Sequence, residues 1–321
     1  MKIRIGIPRT LLYYRYFTFW TTFFSSLDFE VVISRPTHRS LLEEGFKYVD
    51  GDNCIPIKMA FGHVLALQNQ VDFLFVPRLL SLDPKSCFCP RTAGLPEMLK
   101  YSIPHLPPIL DPYIDERHRS TNLLSSLTEI GQKLGKRSKE IKEAFQQAQK
   151  AFQVFWEKAK EGSLPPELFP TRSLPNSDKR IAVLGHPYCL YDPFLNFNLL
   201  RLLEDSGALV LTQEMVESKE IEVEIKKVGK DIYWTFGREI LGAGLYYLYS
   251  NRVDGLIYIT CFSCGVDSMI EPLLSHRAQR GEAVYFCLMI DEHTGVGGIR
   301  TRLEAFLETI ERRKRFQKAK R

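Results

Sequence analysis

Apolar positions along the chain fall into short β-branched runs separated by amphipathic stretches, and the two kinds alternate. Residues 3–7 place Ile3, Ile5 and Ile7 in a strand that Pro8 ends, and 10–27 predict a long helix crowded with aromatic side chains. A strand over 30–34, helices over 38–45 and 55–68, a strand over 72–76 and a short helix over 95–101 follow. Such alternation predicts a parallel sheet, because parallel neighbours need a crossover that a helix supplies. Residues 122–160 read as helix alone, rich in Lys, Glu, Gln and Ala. Residues 162–178 then carry Pro165, Pro166, Pro170 and Pro175 without periodicity, which predicts an irregular linker. Alternation resumes with strands over 180–185, 208–212, 253–260 and 283–290 and helices over 194–206, 233–250 and 298–318.

The expected fold is therefore α/β, with two Rossmann-like or flavodoxin-like lobes, parallel sheets and a helical bridging segment. The boundaries that follow are an N-terminal lobe at 1–120, the helical segment and Pro-rich linker at 121–177, and a C-terminal lobe at 178–321. A chain of 321 residues can bury two such cores. No apolar run is long enough to span a bilayer, and the N-terminus reads as a strand instead of a signal peptide, so a cytoplasmic location is expected. The net charge of +5 is concentrated in a tail containing Arg312, Arg313, Lys314, Arg315, Lys318, Lys320 and Arg321. That tail reads as a solvated helix end, or as a dock for an acidic partner. Nothing beside it resembles a nucleic-acid module.

Seven cysteines, an odd number without framework spacing, favour reduced, metal-binding or buried thiols. Cys264 follows an apolar strand and precedes a helix that starts near Gly265, while Cys54 precedes a helix announced by Pro56. The partial positive charge of a helix N-terminus favours the thiolate form that binds metal. Cys89, followed by Pro90, sits on a third loop, and a Cys-Pro pair recurs beside ferredoxin cluster ligands. Cys54, Cys89 and Cys264 together suggest an iron–sulfur cluster, with Cys87 and Cys261 as auxiliary thiols. Two alternatives stay open: zinc at Cys87 and Cys89, and a dithiol redox motif at Cys261 and Cys264.

Cys189 and Cys287 read as packing residues. Lys58, one turn beyond Cys54, could offset cluster charge. The aromatic helix reads as core or as a subunit interface, which makes a homodimer reasonable. Asp291, Glu292 and His293 could serve acid/base chemistry, or could cap the last helix together with Thr294. Gly295, Gly297 and Gly298 lack the Lys-Ser or Lys-Thr pair of a phosphate loop.

Several stretches together resemble the stand-alone proteins related to 2-hydroxyacyl-CoA dehydratases and their activases. They are IGIPRTLLYYR at 5–15, the segment 53–64 around Cys54, 72–77 with Cys89 and Pro90, GHPYCLYDP at 185–193, FSCGVDS at 262–268, and 290–306. The resemblance implies flavodoxin-like lobes and an oxygen-sensitive [4Fe-4S] cluster on Cys54, Cys89 and Cys264; a double-cubane [8Fe-9S] cluster would need further thiols. It implies an ATP-hydrolysing activator protein with its own iron–sulfur cluster as partner, and a small-molecule or acyl-CoA substrate. Lacking phosphate loops, this chain would be the acceptor of low-potential electrons, a dehydratase (lyase) or reductase. The alternative is a non-catalytic accessory or cluster-carrying protein of a dehydratase system. Cys189 stands where the family pattern has Asn, and Val266 where it has Pro.

Overall fold

The computed structural model describes residues 2–162, 177–250 and 252–319, so most of the expected Pro-rich linker lies outside the described residues. The chain divides into two compact units, one of Met1–Glu157 with Tyr233–Thr235, the other of Lys158–Ile232 with Phe236–Arg321.

The first unit is built from β1 (Arg4–Ile7), α1 (Tyr13–Ser26), β2 (Glu30–Ile33), α2 (Arg39–Phe46), α3 (Ile55–Leu67), β3 (Phe73–Phe75), β4 (Arg78–Ser81), α4 (Pro90–Ala93), α5 (Leu95–Ser102), β5 (Ile109–Leu110), β6 (Tyr113–Asp115), α6 (Leu123–Lys133) and most of α7 (Ser138–Lys160). Its main sheet runs in the order β2-β1-β3-β5, and β4 pairs with β6 in a small second sheet. Every pairing is parallel. The second unit contributes β7 (Arg180–Gly185), α8 (Pro187–Leu190), α9 (Leu199–Asp205), β8 (Leu209–Leu211), α10 (Ser218–Val228), α11 (Thr235–Tyr249), β9 (Gly255–Cys261), α12 (Asp267–Ala278), β10 (Val284–Ile290) and α13 (Val296–Ala319). Its parallel sheet runs β10-β9-β7-β8. Both sheets are mixed into helices as the alternation predicts, which makes the expected pair of flavodoxin-like α/β lobes correct.

In each sheet the first strand lies between the second and the third, so the chain reverses direction of growth there. Open parallel sheets bind ligands at the carboxyl ends of the strands flanking that reversal. Those strands are β1 and β3 in the first unit, β7 and β9 in the second.

The aromatic helix α1 forms the core of the first unit. Trp20 and Phe24 meet Phe75 of β3 at centroid distances of 5.0 and 4.9 Å, while Phe17, Phe19 and Tyr16 meet Phe155, Phe145 and Phe152 of α7 at 5.5, 5.6 and 5.6 Å. The aromatic side chains are thus spent inside the unit, which removes the reason for expecting a dimer through them. It also gives the helical stretch at 121–160 a packing role: α7 covers α1 before its last residues, from Lys158 on, pass into the second unit. Gly135, at φ +78°, breaks that stretch into α6 and α7, because a left-handed residue closes a helix.

One expected element differs in extent, and some observed ones were not expected. The helix expected at 194–206 begins only at Leu199, since Phe197 and Asn198 take φ +54° and +57°. The paired strands β4 and β6 and the helix α10 carry no signal that the apolar pattern revealed. Short strands of three or four residues give too few alternations to read.

Candidate functional site

At the reversal of the second sheet two turns lie side by side. β7 ends at Gly185, and His186 stands at the start of α8 with Pro187 behind it. β9 ends at Cys261, after which Phe262, Ser263, Cys264 and Gly265 lead into α12. Ser263 takes φ +64°, a conformation that costs a side-chain-bearing residue about 1–3 kcal/mol and is held only by its surroundings. The tight turn also lets the Cys264 N–H donate to the Cys261 carbonyl at 3.1 Å.

Asp267, the first residue of α12, is buried beneath this turn. Tyr258 and Thr260, two residues apart on β9 and therefore on one face, donate hydroxyl hydrogens to Oδ1 at 2.5 Å and Oδ2 at 2.8 Å. His186 Nε2 lies 3.0 Å from Oδ1. Burial alone would raise this carboxyl, but the neighbouring imidazole and the hydrogen bonds from His186, Tyr258 and Thr260 outweigh it and hold Asp267 below the ordinary carboxylate value. The Tyr258 phenol is pushed well up by burial and by the carboxylate it faces.

The His186 ring stacks on Tyr188 at 5.0 Å and meets the edge of Phe236 at 5.6 Å. Its Nε2 also lies 3.8 Å from Cys264 Sγ, whereas Nδ1 is buried with no hydrogen-bond partner among the described residues. An orphaned acceptor costs less than an orphaned N–H, so the network assigns the hydrogen to Nε2, donated to Asp267. One thiol, one imidazole and one carboxylate within 4.8 Å of one another are a donor set that suits a divalent metal. A metal on Nε2 would, however, drive the hydrogen to the unpartnered Nδ1. The arrangement therefore fits a fixed imidazole–carboxylate pair beside a partly exposed thiol, with Cys264 as the outward member.

Cys54 and Cys89 lie in the first unit. Cys54 occupies the cap of α3, its carbonyl accepting from the N–H groups of Ile57 and Lys58 at 3.0 and 3.2 Å. Cys89 occupies the cap of α4, its carbonyl accepting from Thr92 and Ala93 at 3.0 and 3.1 Å. Proline stands in the first turn of each helix, and neither thiol caps its own helix. Arg91 of α4 donates to the Asp52 carbonyl at 3.1 Å, tying the Cys89 turn to the loop that leads into Cys54. Cys87 is pinned through its backbone, its N–H donating to the Tyr233 carbonyl at 2.7 Å and its carbonyl accepting from Thr235 at 2.9 Å. Lys58 Nζ sits 5.5 Å from the Phe46 ring, which gives the cation an aromatic face to rest on. Among the described residues of this unit no three Cys, His, Asp or Glu side chains form a compact metal group, so zinc at Cys87 and Cys89 lacks further ligands there.

A shallow recess opens at the reversal of the first sheet, lined by Ile7, Pro8 and Leu11 beyond β1, Val76 and Pro77 beyond β3, and Thr92 of α4. It lies one helical turn from Cys89. The acidic segment after β10 is a loop brace: Asp291 Oδ1 accepts from the His293 N–H at 3.0 Å and the Thr294 hydroxyl at 2.7 Å.

His186 and Asp267 carry no role in the sequence reading, although each lies within a stretch singled out above, 185–193 and 262–268. The local signal for both is a polar residue at a strand-to-helix turn, His186 before Pro187 and Asp267 after Cys264. Their partnership across two strands has no local signal. Cys261 lies beside Cys189, with sulfurs 3.0 Å apart, where one alternative from the sequence was a dithiol with Cys264.

Two parallel α/β lobes of flavodoxin-like form define the broad class of this protein. Within it the chain belongs to the family described as the CoA enzyme activase uncharacterised domain (DUF2229), which matches residues 4–216. No curated protein matches the chain. The expected activase-related family is thus correct, and it ties the chain to systems in which an activase serves a CoA-dependent dehydratase. The family also corrects the expected activity. An activase domain stands on the activator side of such a system, so the reading of this chain as the electron-accepting dehydratase or reductase is wrong. The error came from treating the absence of phosphate loops as a choice between ATPase and electron acceptor. Among the described residues no helix is long and apolar enough to cross a membrane.

Proposed function

We propose that this chain is a non-catalytic, cluster-carrying accessory protein of an acyl-CoA dehydratase activation system. Its proposed ligands are Cys54, Cys89 and Cys264, and its proposed cofactor is a [4Fe-4S] cluster. The observation that carries this reading is the placement of the thiols. Cys54 and Cys89 stand at proline-started helix caps, partly exposed and without capping duty, and Cys264 stands at a strained strand-to-helix turn. Helix N-termini stabilise thiolates, and thiolates are what hold an iron–sulfur cluster. When bound, the cluster would supply one-electron chemistry. The chain's own part is to hold the thiolates and, through His186 and Asp267, to fix the surroundings of Cys264.

Its partners on this reading are the CoA-dependent dehydratase and the ATP-hydrolysing subunit of the same system. The test is reconstitution under anaerobic conditions with a 2-hydroxyacyl-CoA as substrate. Alone, the chain should form no enoyl-CoA; added to dehydratase and ATPase, it should raise the activated fraction. Dehydration by the isolated chain, or no effect on the reconstituted system, would refute the proposal.

A further inference from the structure

Beneath the Cys264 turn lies a pair of thiols that the proposed ligand set does not use. Cys261 is the last residue of β9, and Cys189 is the third residue of the four-residue α8 that follows β7. β7 and β9 are direct neighbours, with Gly185 paired to Ile259, so the turn after one strand folds over the end of the other. The Cys189 N–H donates to the His186 carbonyl at 2.8 Å, which fixes the backbone of the turn that carries it. The two sulfurs lie 3.0 Å apart, and the residues are 0% and 4% exposed.

We propose that Cys189 and Cys261 form a redox-modification site, a buried dithiol that a low-molecular-weight disulfide converts to an intramolecular disulfide. One protein thiolate attacks a sulfur of the small disulfide, giving a mixed disulfide and releasing one small thiol. The second protein thiolate attacks the protein sulfur of that mixed disulfide and releases the other small thiol. Two protein thiols are thereby oxidised, one small disulfide is reduced to two thiols, and the two protein protons pass to the released thiolates. Geometry selects this pair over Cys261 with Cys264, because the Cys261 sulfur contacts Cys189 while the Cys264 sulfur contacts His186 Nε2.

Reaction has to begin with opening of α8, since neither sulfur is reachable in the closed fold. A four-residue helix has few backbone hydrogen bonds to break, but all four of its residues are buried, so such opening is infrequent. The neighbouring Cys189 thiol and then burial push the Cys261 thiol well up, so few molecules carry the attacking thiolate at any moment. Exchange should therefore take minutes to hours instead of seconds. Once formed, the bond ties the end of β9 to α8. His186 immediately precedes α8, and Cys264 lies three residues beyond Cys261, so the bond fastens both sides of the imidazole–thiol pair. The inference does not depend on the cluster proposal.

The test is oxidation of the anaerobically purified full chain with oxidised glutathione, followed by denaturing alkylation, digestion and mass spectrometry. The expected product is a Cys189–Cys261 linked peptide that dithiothreitol reverses, with the other five of the seven cysteines outside that link. The oxidised sample should also melt at higher temperature than the reduced one. C189S and C261S should each abolish the linked peptide; should either fail to fold, the wild-type peptide map decides alone. A Cys261–Cys264 link, or Cys189 and Cys261 both alkylated after exposed cysteines have been glutathionylated, would overturn the proposal.

Discussion

His63 offers a quantitative test of how the first unit is built. It lies on α3, fully buried, with Nδ1 2.8 Å from Ser34 Oγ and Nε2 3.1 Å from Thr37 Oγ1. The Arg9 N–H donates to Ser34 Oγ at 2.8 Å, which leaves the Ser34 hydrogen to point at Nδ1. The imidazole is therefore neutral, with its hydrogen on Nε2. Burial, reinforced by Arg9 and His38, pushes it down from 6.5 to about 3. A folded-state value below the unfolded one means that the unfolded chain takes up the proton first. Stability is then full above pH 6.5 and drains as the pH falls toward about 3. At 1.36 kcal/mol per unit, the whole shift is worth ~5 kcal/mol, of which ~2 kcal/mol is lost between pH 7 and pH 5. Urea unfolding of wild type and His63→Gln at both pH values isolates this share, because other titrating groups cancel in the comparison. The variant should start less stable and lose ~2 kcal/mol less on acidification. Equal losses in the two proteins would refute the assignment of a neutral, buried imidazole.

Other substitutions probe the site and its supports. Thr260→Val removes the donor to Asp267 Oδ2 at nearly constant shape and should cost about 1–3 kcal/mol. Because the Asp267 carboxyl is held below its unfolded value, its contribution is present at neutral pH and lost as the pH falls through the folded value. Thr260→Val should move that loss to higher pH, as read by carbon-detected titration of the carboxyl. Gly62→Ala should cost ~2 kcal/mol or more in a thermal melt, since a Cβ there runs into the Leu41 carbonyl and α2 must move off α3. Gly207→Ala should cost about 1 kcal/mol in the same assay, because Gly207 closes α9 at φ +77°.

Local order was legible where the signal is local. The apolar run from Val253 predicts β9, and Pro56 predicts the start of α3; both elements lie where the pattern puts them. The parallel lobes followed from alternation, because a crossover helix between strands leaves little other topology. What the pattern could not carry is contact between distant segments. Phe145, Phe152 and Phe155 stand in a stretch that the sequence shows only as polar-rich helix, and their role appears once α1 supplies the aromatic surface they meet. His186 and Asp267 lie 81 positions apart, and only the adjacency of β7 and β9 joins them. Cys189 looks like filler from its apolar neighbours, and its pairing with Cys261 likewise arises from strand order. The family's activase character has no counterpart in any spacing of residues, which is why electron acceptance was inferred in its place.

The most direct test of the cluster-carrying reading is elemental and spectroscopic analysis of protein purified without oxygen. Iron and acid-labile sulfide should each be about four per chain, with a reduced-state EPR signal, and Cys54→Ser, Cys89→Ser and Cys264→Ser should each lose iron while remaining folded. Colourless protein without iron or sulfide after anaerobic reconstitution, or full iron content in all three variants, would contradict it.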